Sequence, residues 1–67
     1  MESLYPNLDR EMAQRDMNYH DLAKVAGVNG LQMYRRLRGI SKFQLHEAAK
    51  ICCYFNHTNV NELFARR

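Results

Sequence analysis

Three asparagines divide the chain into short helical units, because each carries the signature of a helix start. Asn18, Asn29 and Asn59 are each followed three residues later by an acid or an amide. That spacing is typical of a helix cap in which side chains satisfy the first backbone amides. Gly27 and Gly39 stand where two of the helices should end, since glycine adopts the left-handed conformation beyond a helix without steric cost. A fold of several short helices is therefore predicted.

The spacing of apolar residues predicts five helices and the core between them. We expect helices at about 6–16, 19–26, 30–38, 43–55 and 60–64. The start of the fourth is ambiguous, because Ser41 with Gln44 and Gln44 with Glu47 both have capping spacing. The expected core residues are Leu8, Met12, Leu22, Val25, Ala26, Met33, Leu37, Leu45, Ala48, Ile51, Cys52, Phe55, Leu63 and Phe64. Strand signals are absent, so the prediction is all-α: a compact bundle of five short helices in one domain, residues 1–67.

The size and the motif content of the chain argue against most enzymes. A chain of 67 residues is too small to enclose most substrates, and it has no glycine-rich phosphate loop or paired catalytic carboxylates. Cys53 and His57 are four residues apart and Cys52 is adjacent, but a zinc site needs a second pair of ligands. His20 and His46 have no evident nucleophile partner. We expect no enzymatic activity, cofactor, metal or small-molecule effector.

The sequence also lacks signals for a membrane or for export. No apolar run reaches the ~20 residues of a membrane span, and the first four residues do not resemble a signal peptide. The expected location is therefore cytoplasmic and nucleoid-associated, without a membrane partner.

Charge is divided unevenly along the chain. The net charge is +3, yet seven of the ten basic residues and two of the seven acidic ones follow residue 28. Residues 22–46 contain no acid, and four basic residues fall within 35–42. Such a cluster attracts polyanions such as nucleic acid. The alternative is an ordinary solvated surface.

The second and third helices carry the functional signal. They are joined through Gly27 by a turn of three or four residues, which is typical of a helix-turn-helix, and Ala23 is small enough to let them approach. The order of residues resembles the lambda-repressor-like (Cro-type) helix-turn-helix family of DNA-binding regulators, and segments 5–8 and 37–43 are most similar to its short phage or mobile-element members. The resemblance extends from about residue 7 to 64 and rests on Leu22, Ala23, Ala26, Gly27, Val28, Met33, Gly39, Glu62, Leu63 and Phe64.

The chain departs from the family pattern at several places. Arg36 occupies a position that is usually apolar, and Leu37 follows it one residue later. Gly30 and Leu31 stand where long polar side chains are frequent, and Tyr19 stands where glutamine is frequent. Sequence preference therefore cannot be transferred from relatives.

The resemblance implies that the third helix enters the major groove while the second lies across the DNA backbone, with a helix-turn-helix core at about 19–38. Gln32 is expected either to bond adenine or to form a capping box with Asn29, and Leu31 to contact a thymine methyl or another subunit. Gly30 permits close approach. The predicted DNA-binding residues are Asn18, Tyr19, Asn29, Gly30, Leu31, Gln32, Arg35, Arg36, Arg38 and Lys42.

The basic residues are expected to divide between bases and phosphates. Arg35 and Arg36 are candidates for guanine or phosphate, although one of them could be a solvated charge. Arg38 and Lys42, which flank Gly39, are expected to bind phosphate, which fixes register without reading sequence. Asn18 and Tyr19 begin the second helix, where exposed amides favour a phosphate; Tyr19 could instead be partly buried.

The prediction is a sequence-specific double-stranded DNA-binding transcriptional regulator of the phage repressor or Cro type. A homodimer on an inverted-repeat operator is expected, with half-sites about 34–36 Å apart and a dimer contact at residues 63–67. Arg66 and Arg67 could instead bind phosphate or be disordered. The first alternative is an antirepressor or antitoxin-like protein-interaction module on the same fold. A second is non-specific nucleic-acid binding by residues 35–42.

Overall fold

The computed structural model describes residues 2–57 and 59–67, and these form helices without strands. The helices are α1 (Pro6–Gln14), α2 (Tyr19–Ala26), α3 (Gly30–Leu37), α4 (Leu45–Tyr54) and α5 (Val60–Leu63). The all-α prediction of five short helices is confirmed. Helix α1 ends earlier than expected, because Asp16 takes a left-handed φ of 56° that an α-helix does not accommodate. No helix in these ranges has the length and apolar character of a membrane span.

The predicted asparagine caps are present at α2, α3 and α5. In α5, the Asn59 side chain accepts a hydrogen bond from the Glu62 amide at 3.1 Å. The ambiguous fourth start is resolved in favour of the later pair, since the Gln44 amide donates to Glu47 Oε1 at 3.1 Å. Gly27 and Gly39 both have a positive φ, 78° and 81°, which confirms them as helix stops.

The core lies where the five helices meet. Its six fully buried large side chains are Leu8, Leu22, Met33, Leu37, Ile51 and Leu63. Val25 and Phe64 pack against this core but are only partly buried. Tyr5, which precedes α1, is also buried, although it was not among the predicted core residues.

The prediction that Leu45 belongs to the core is wrong, because its side chain is 80% exposed. Phe43 fills the place beside the core instead. Its ring lies 5.4 Å from that of Tyr5 and 4.9 Å from that of Phe64, in edge-on contacts. Helix α4 starts at Leu45, so this first residue extends past the core and its side chain remains in solvent.

The two chain ends are fastened to each other. The Arg67 amide donates to the Leu4 carbonyl oxygen at 2.9 Å, and Arg67 Nε donates to the Ser3 carbonyl oxygen at 2.7 Å. Asp9 accepts from the Ser3 hydroxyl at 2.7 Å and from Arg67 at 3.1 Å. The Leu4 amide in turn donates to the carbonyl oxygen of Leu37 at 3.0 Å, where α3 ends. The C-terminal residue is therefore an ordered part of the fold, which corrects the alternative that it is disordered.

Candidate nucleic-acid interface

The turn between α2 and α3 consists of Gly27, Val28 and Asn29. The amides of Gly27 and Val28 both donate to the carbonyl oxygen of Ala23, at 2.9 and 3.0 Å. This double hydrogen bond closes the end of α2, and the left-handed Gly27 redirects the chain. Ala23 and Ala26 are buried, so the small side chains of α2 lie inside the unit, as a helix-turn-helix requires.

Helix α3 has one buried face and one exposed face. Met33, Arg36 and Leu37 are buried. Since successive residues of an α-helix are about 100° apart, Arg35 and Leu31 project from the opposite face. Leu31 is 58% exposed, and Arg35 is also exposed.

Arg36 lies on the buried face and is not available to DNA, which corrects its prediction as a guanine or phosphate contact. Its Nε and Nη2 bind the two carboxylate oxygens of Glu47 on α4, at 2.7 and 3.0 Å. Its Nη1 donates to the carbonyl oxygen of Gln32 at 3.2 Å. The side chain of Glu47 is only 3% exposed. The polar residue at the usually apolar position is thus matched by a buried partner, and it fastens α3 to α4.

A sequence signal for this pair exists. Glu47 is the only acid between Asp21 and Glu62, and it stands one residue before Ala48 of the core stripe. A lone carboxylate on the inward side of one helix and an arginine at an apolar position of another indicate a buried ion pair, since buried charges require partners.

Gln32 and Asn29 form the capping box. The Gln32 backbone N–H donates to Asn29 Oδ1 at 2.8 Å, and the Asn29 backbone N–H donates to Gln32 Oε1 at 3.1 Å. The Gln32 side chain is therefore folded back over the start of α3. Both residues are exposed, so the two roles predicted for Gln32 compete for one side chain.

Gly30 lies against the His20 side chain of α2. A Cβ atom at this position would lie 2.6 Å from Nδ1 of His20, closer than non-bonded atoms approach. Any larger residue at the start of α3 would therefore require the exposed His20 side chain to turn away. The ring of His20 is stacked on that of Tyr19, with centroids 4.4 Å apart.

The start of α2 is less suited to phosphate than predicted. The Asn18 backbone N–H already donates to Asp21 Oδ2 at 3.1 Å, and Asn18 Oδ1 accepts from the Asp21 backbone N–H at 3.0 Å. This capping box places a carboxylate at the helix end. Tyr19 is partly buried, in agreement with the alternative given for it, and its ring lies 5.8 Å from that of Tyr34.

Tyr34 belongs to the exposed side of α3 and was missed by the sequence analysis. Its side chain is 38% exposed, and it stands three residues after Leu31 and four before Arg38. Residues at these spacings are neighbours on a helix surface. Because Tyr34 is three residues after Leu31, helical spacing alone predicts that the two side chains share the exposed face of α3.

Arg38 and Lys42 flank the exposed loop that follows α3, and both are exposed. Over residues 2–57 and 59–67, neither of them nor Arg35 forms an ion pair with an acidic side chain. In this part of the chain, three cations on and beside α3 therefore have no acidic partner. Of the predicted residues, Leu31, Gln32, Arg35, Arg38 and Lys42 are exposed on α3 or in the loop after it. Tyr34 is added to them and Arg36 is removed.

Cys52, Cys53 and His57 lie outside this surface and differ in their surroundings. Cys52 is buried, and burial raises the pKa of its thiol. Cys53 is exposed, whereas His57 Nε2 lies 3.2 Å from Glu11 Oε2 on α1. Among the residues the structure describes, no three His, Cys, Asp or Glu side chains gather in a metal-binding arrangement.

Comparison with known proteins identifies the family. The family model for the Cro/C1-type helix-turn-helix DNA-binding domain matches residues 7–66. Searches of curated proteins and of solved structures gave no match. The family match covers all but the first six residues and the last one, and it spans α2, the turn and α3. The chain therefore belongs to the Cro/C1-type helix-turn-helix DNA-binding domain family.

Proposed function

We propose that this protein is a sequence-specific, double-stranded DNA-binding transcriptional regulator of the phage repressor or Cro type. The observation that carries the proposal is the exposed face of α3, with Leu31, Tyr34 and Arg35 followed by Arg38. In a helix-turn-helix, the N-terminal part of the second helix meets base edges. Leu31 and Tyr34 are then positioned toward bases, and Arg38 toward the DNA backbone.

The charge distribution supports the same orientation. Arg35, Arg38 and Lys42 have no acidic partner in the described residues. Cations without internal partners exchange small counterions for phosphates, so binding weakens steeply as salt rises. Arg38 and Lys42 are proposed to bind phosphate, and Arg35 to bind guanine or phosphate.

A homodimer on an inverted repeat is part of the proposal. A single eight-residue recognition helix reads few base pairs, and two copies related by a two-fold axis would read two half-sites about one DNA turn apart. Of residues 63–67, Leu63 is fully buried and Arg67 binds the N-terminal segment. We therefore centre the proposed dimer surface on the exposed Leu45 and the partly buried Phe43 and Phe64.

The protein-interaction module remains the second candidate function. It is favoured by the exposed Leu31 and Tyr34, since apolar side chains in solvent also suit a protein surface. A protein partner at this surface would compete with DNA, because both would cover the same face of α3.

Selection from a randomised double-stranded DNA pool with the purified protein tests the proposal. Specific regulation predicts one enriched inverted repeat, bound about a thousandfold or more tightly than random DNA. Non-specific binding predicts a steep salt dependence without enrichment. If no DNA is bound at physiological salt, the proposal is wrong and the protein-interaction module is favoured.

Two substitutions on the α3 surface, with one control, refine the test. Arg38→Ala is expected to weaken binding to all sequences and to reduce the salt dependence by about one phosphate. Gln32→Ala is expected to relax preference at one base position, and an unchanged preference would remove its role in base reading. Arg10→Ala, which removes an exposed arginine from α1, is the matched control and should change neither quantity.

A further inference from the structure

The first turn of α3 offers DNA bases very few polar groups. Gly30 has no side chain, Met33 is fully buried, and Gln32 Oε1 accepts from the Asn29 backbone amide, which leaves only the side-chain NH2 group of Gln32 for a base. What projects from this turn is the side chain of Leu31, which is 58% exposed. If α3 lies in the major groove, as the proposed function holds and as this inference assumes, Leu31 meets the base edges there.

Tyr34 extends this apolar surface by one turn of α3. It stands three residues after Leu31, and such pairs are neighbours on a helix. The Tyr34 ring lies 5.8 Å from that of Tyr19, which is itself stacked on His20 at 4.4 Å. Contact with Tyr19 of α2 therefore limits the movement of the Tyr34 ring. Leu31 and the ring of Tyr34 together form an exposed apolar surface, the Leu31–Tyr34 ridge, which contacts α2 through Tyr19.

The chemistry of the major groove limits what such a ridge can bind. Base edges in this groove carry hydrogen-bond donors and acceptors, and the one apolar group is the C5-methyl of thymine. A leucine placed against a donor or acceptor would leave that group without a partner, which is unfavourable. We infer that the Leu31–Tyr34 ridge recognises a 5-methylpyrimidine, so that each half-site carries a thymine whose methyl packs on Leu31.

The same methyl group occurs in 5-methylcytosine. Thymine and cytosine differ at C4, where one carries an acceptor and the other a donor. Leu31 cannot hydrogen-bond to either. At the position that Leu31 contacts, a C·G pair should therefore bind weakly, and methylation of its C5 should recover the affinity contributed by the methyl group.

The test replaces each thymine of the selected operator in turn by deoxyuridine, which removes the methyl and keeps the hydrogen-bonding edge. For the unaltered protein, one position is expected to show about a fourfold loss of affinity per half-site, the value of one buried methyl group. Leu31→Ala should bind more weakly overall and show no difference between thymine and deoxyuridine at that position. Ile40→Ala, which shortens another exposed aliphatic side chain, is the control and should keep the fourfold difference.

The outcomes are distinct. If the operator has no thymine in its half-sites, or if deoxyuridine changes affinity nowhere, the inference is wrong while the proposed function stands. If the fourfold difference persists in Leu31→Ala, the methyl is read by another residue and the assignment to Leu31 is overturned. If the selection enriches no operator, the proposed function itself fails and the inference fails with it. Recovery of affinity by 5-methylcytosine, seen with the unaltered protein but not with Leu31→Ala, would support the inference independently.

Discussion

Helices α2 and α3 begin with the same hydrogen-bonded box but with different charge. In α2 the box joins Asn18 to Asp21, and in α3 it joins Asn29 to Gln32. All four amide-to-side-chain bonds are between 2.8 and 3.1 Å. Both boxes satisfy amides that a helix end leaves without partners. The local requirement of folding is met equally well by the acid and by the amide.

The two boxes differ in what they offer to a polyanion. A helix N-terminus carries a partial positive charge. Asp21 compensates this charge with its carboxylate, which stabilises α2 and repels phosphate. Gln32 is neutral and leaves the positive end of α3 uncompensated. The first turn of α3 is also held by Arg36, which binds the Gln32 carbonyl oxygen and Glu47. The same capping geometry thus gives a helix start that repels phosphate when the third residue is an acid and one that attracts phosphate when it is an amide.

The largest effect is expected from removing the attachment of α3 to α4. Glu47→Ala leaves Arg36 charged and buried without its carboxylate partner, which costs about 3–5 kcal/mol, a large share of the stability of a small domain. Urea unfolding measures it. The double variant Arg36→Met with Glu47→Leu removes both charges and should recover most of this loss, except for the α4 cap that Glu47 forms with the Gln44 backbone amide. A loss below about 1 kcal/mol for Glu47→Ala would show that the pair does not hold α3.

Gln32→Glu makes the start of α3 as acidic as that of α2. The box should persist, because glutamate is a favoured third residue of a capping box, so the melting temperature should be unchanged or higher. Affinity for the selected operator should fall by about 10- to 100-fold, because a carboxylate then faces phosphates at close range. Fluorescence anisotropy at low and high salt measures it. Unchanged affinity would mean that the start of α3 does not lie near DNA.

Asp21→Asn makes the opposite change at the start of α2. Removal of the carboxylate should lower stability by about 0.3–1 kcal/mol, since the helix dipole loses its compensating charge. DNA affinity should rise by a few-fold at low salt, and the gain should shrink as salt is added. Thermal unfolding and anisotropy titrations measure the two effects. A fall in affinity would indicate that Asp21 supports the interface rather than opposing it.

The smallest effect is expected far from both boxes, at Glu11 on α1. Hydrogen bonds from Arg15, at 2.7 Å, and from His57, at 3.2 Å, hold the pKa of Glu11 below its usual 4.5. A carboxyl group with a lowered folded-state pKa contributes stability above its unfolded pKa and loses it as pH falls through the folded value. Glu11→Gln should abolish this loss of stability at acidic pH. The loss itself is expected to be within about 1 kcal/mol, because the ion pair is near the surface. Melting temperatures between about pH 3 and 6 measure it, and operator preference should not change.

Features set by neighbouring residues could be predicted from the sequence. The caps at Asn18 and Asn29 and the stops at Gly27 and Gly39 depend on a few consecutive residues, so the bounds of α2 and α3 lie close to those expected. The resemblance to the Cro-type family is confirmed by the match over residues 7–66.

The errors arose where distant segments meet. Arg36 binds Glu47, which is eleven residues away on another helix, and is therefore not part of the proposed DNA-binding surface. The number of charges along the chain does not show such a pairing. Leu45 is exposed because Phe43 takes the place beside Tyr5 and Phe64, which spacing along α4 does not reveal. Tyr34 was not among the predicted site residues, although its exposure follows from its angular position on α3.

The fastening of the chain ends has a consequence for topology. Ser3 and Leu4 are bonded to Arg67 through two hydrogen bonds and a shared contact with Asp9, so a short glycine-serine linker could join the ends without distorting either. New ends could be opened at the exposed Asp16, between α1 and α2. Circular permutation is tolerated where ends are close and the opened loop is at the surface. The helix-turn-helix would then lie near the beginning of the rearranged chain, with α1 at its end and the order of helices in space unchanged.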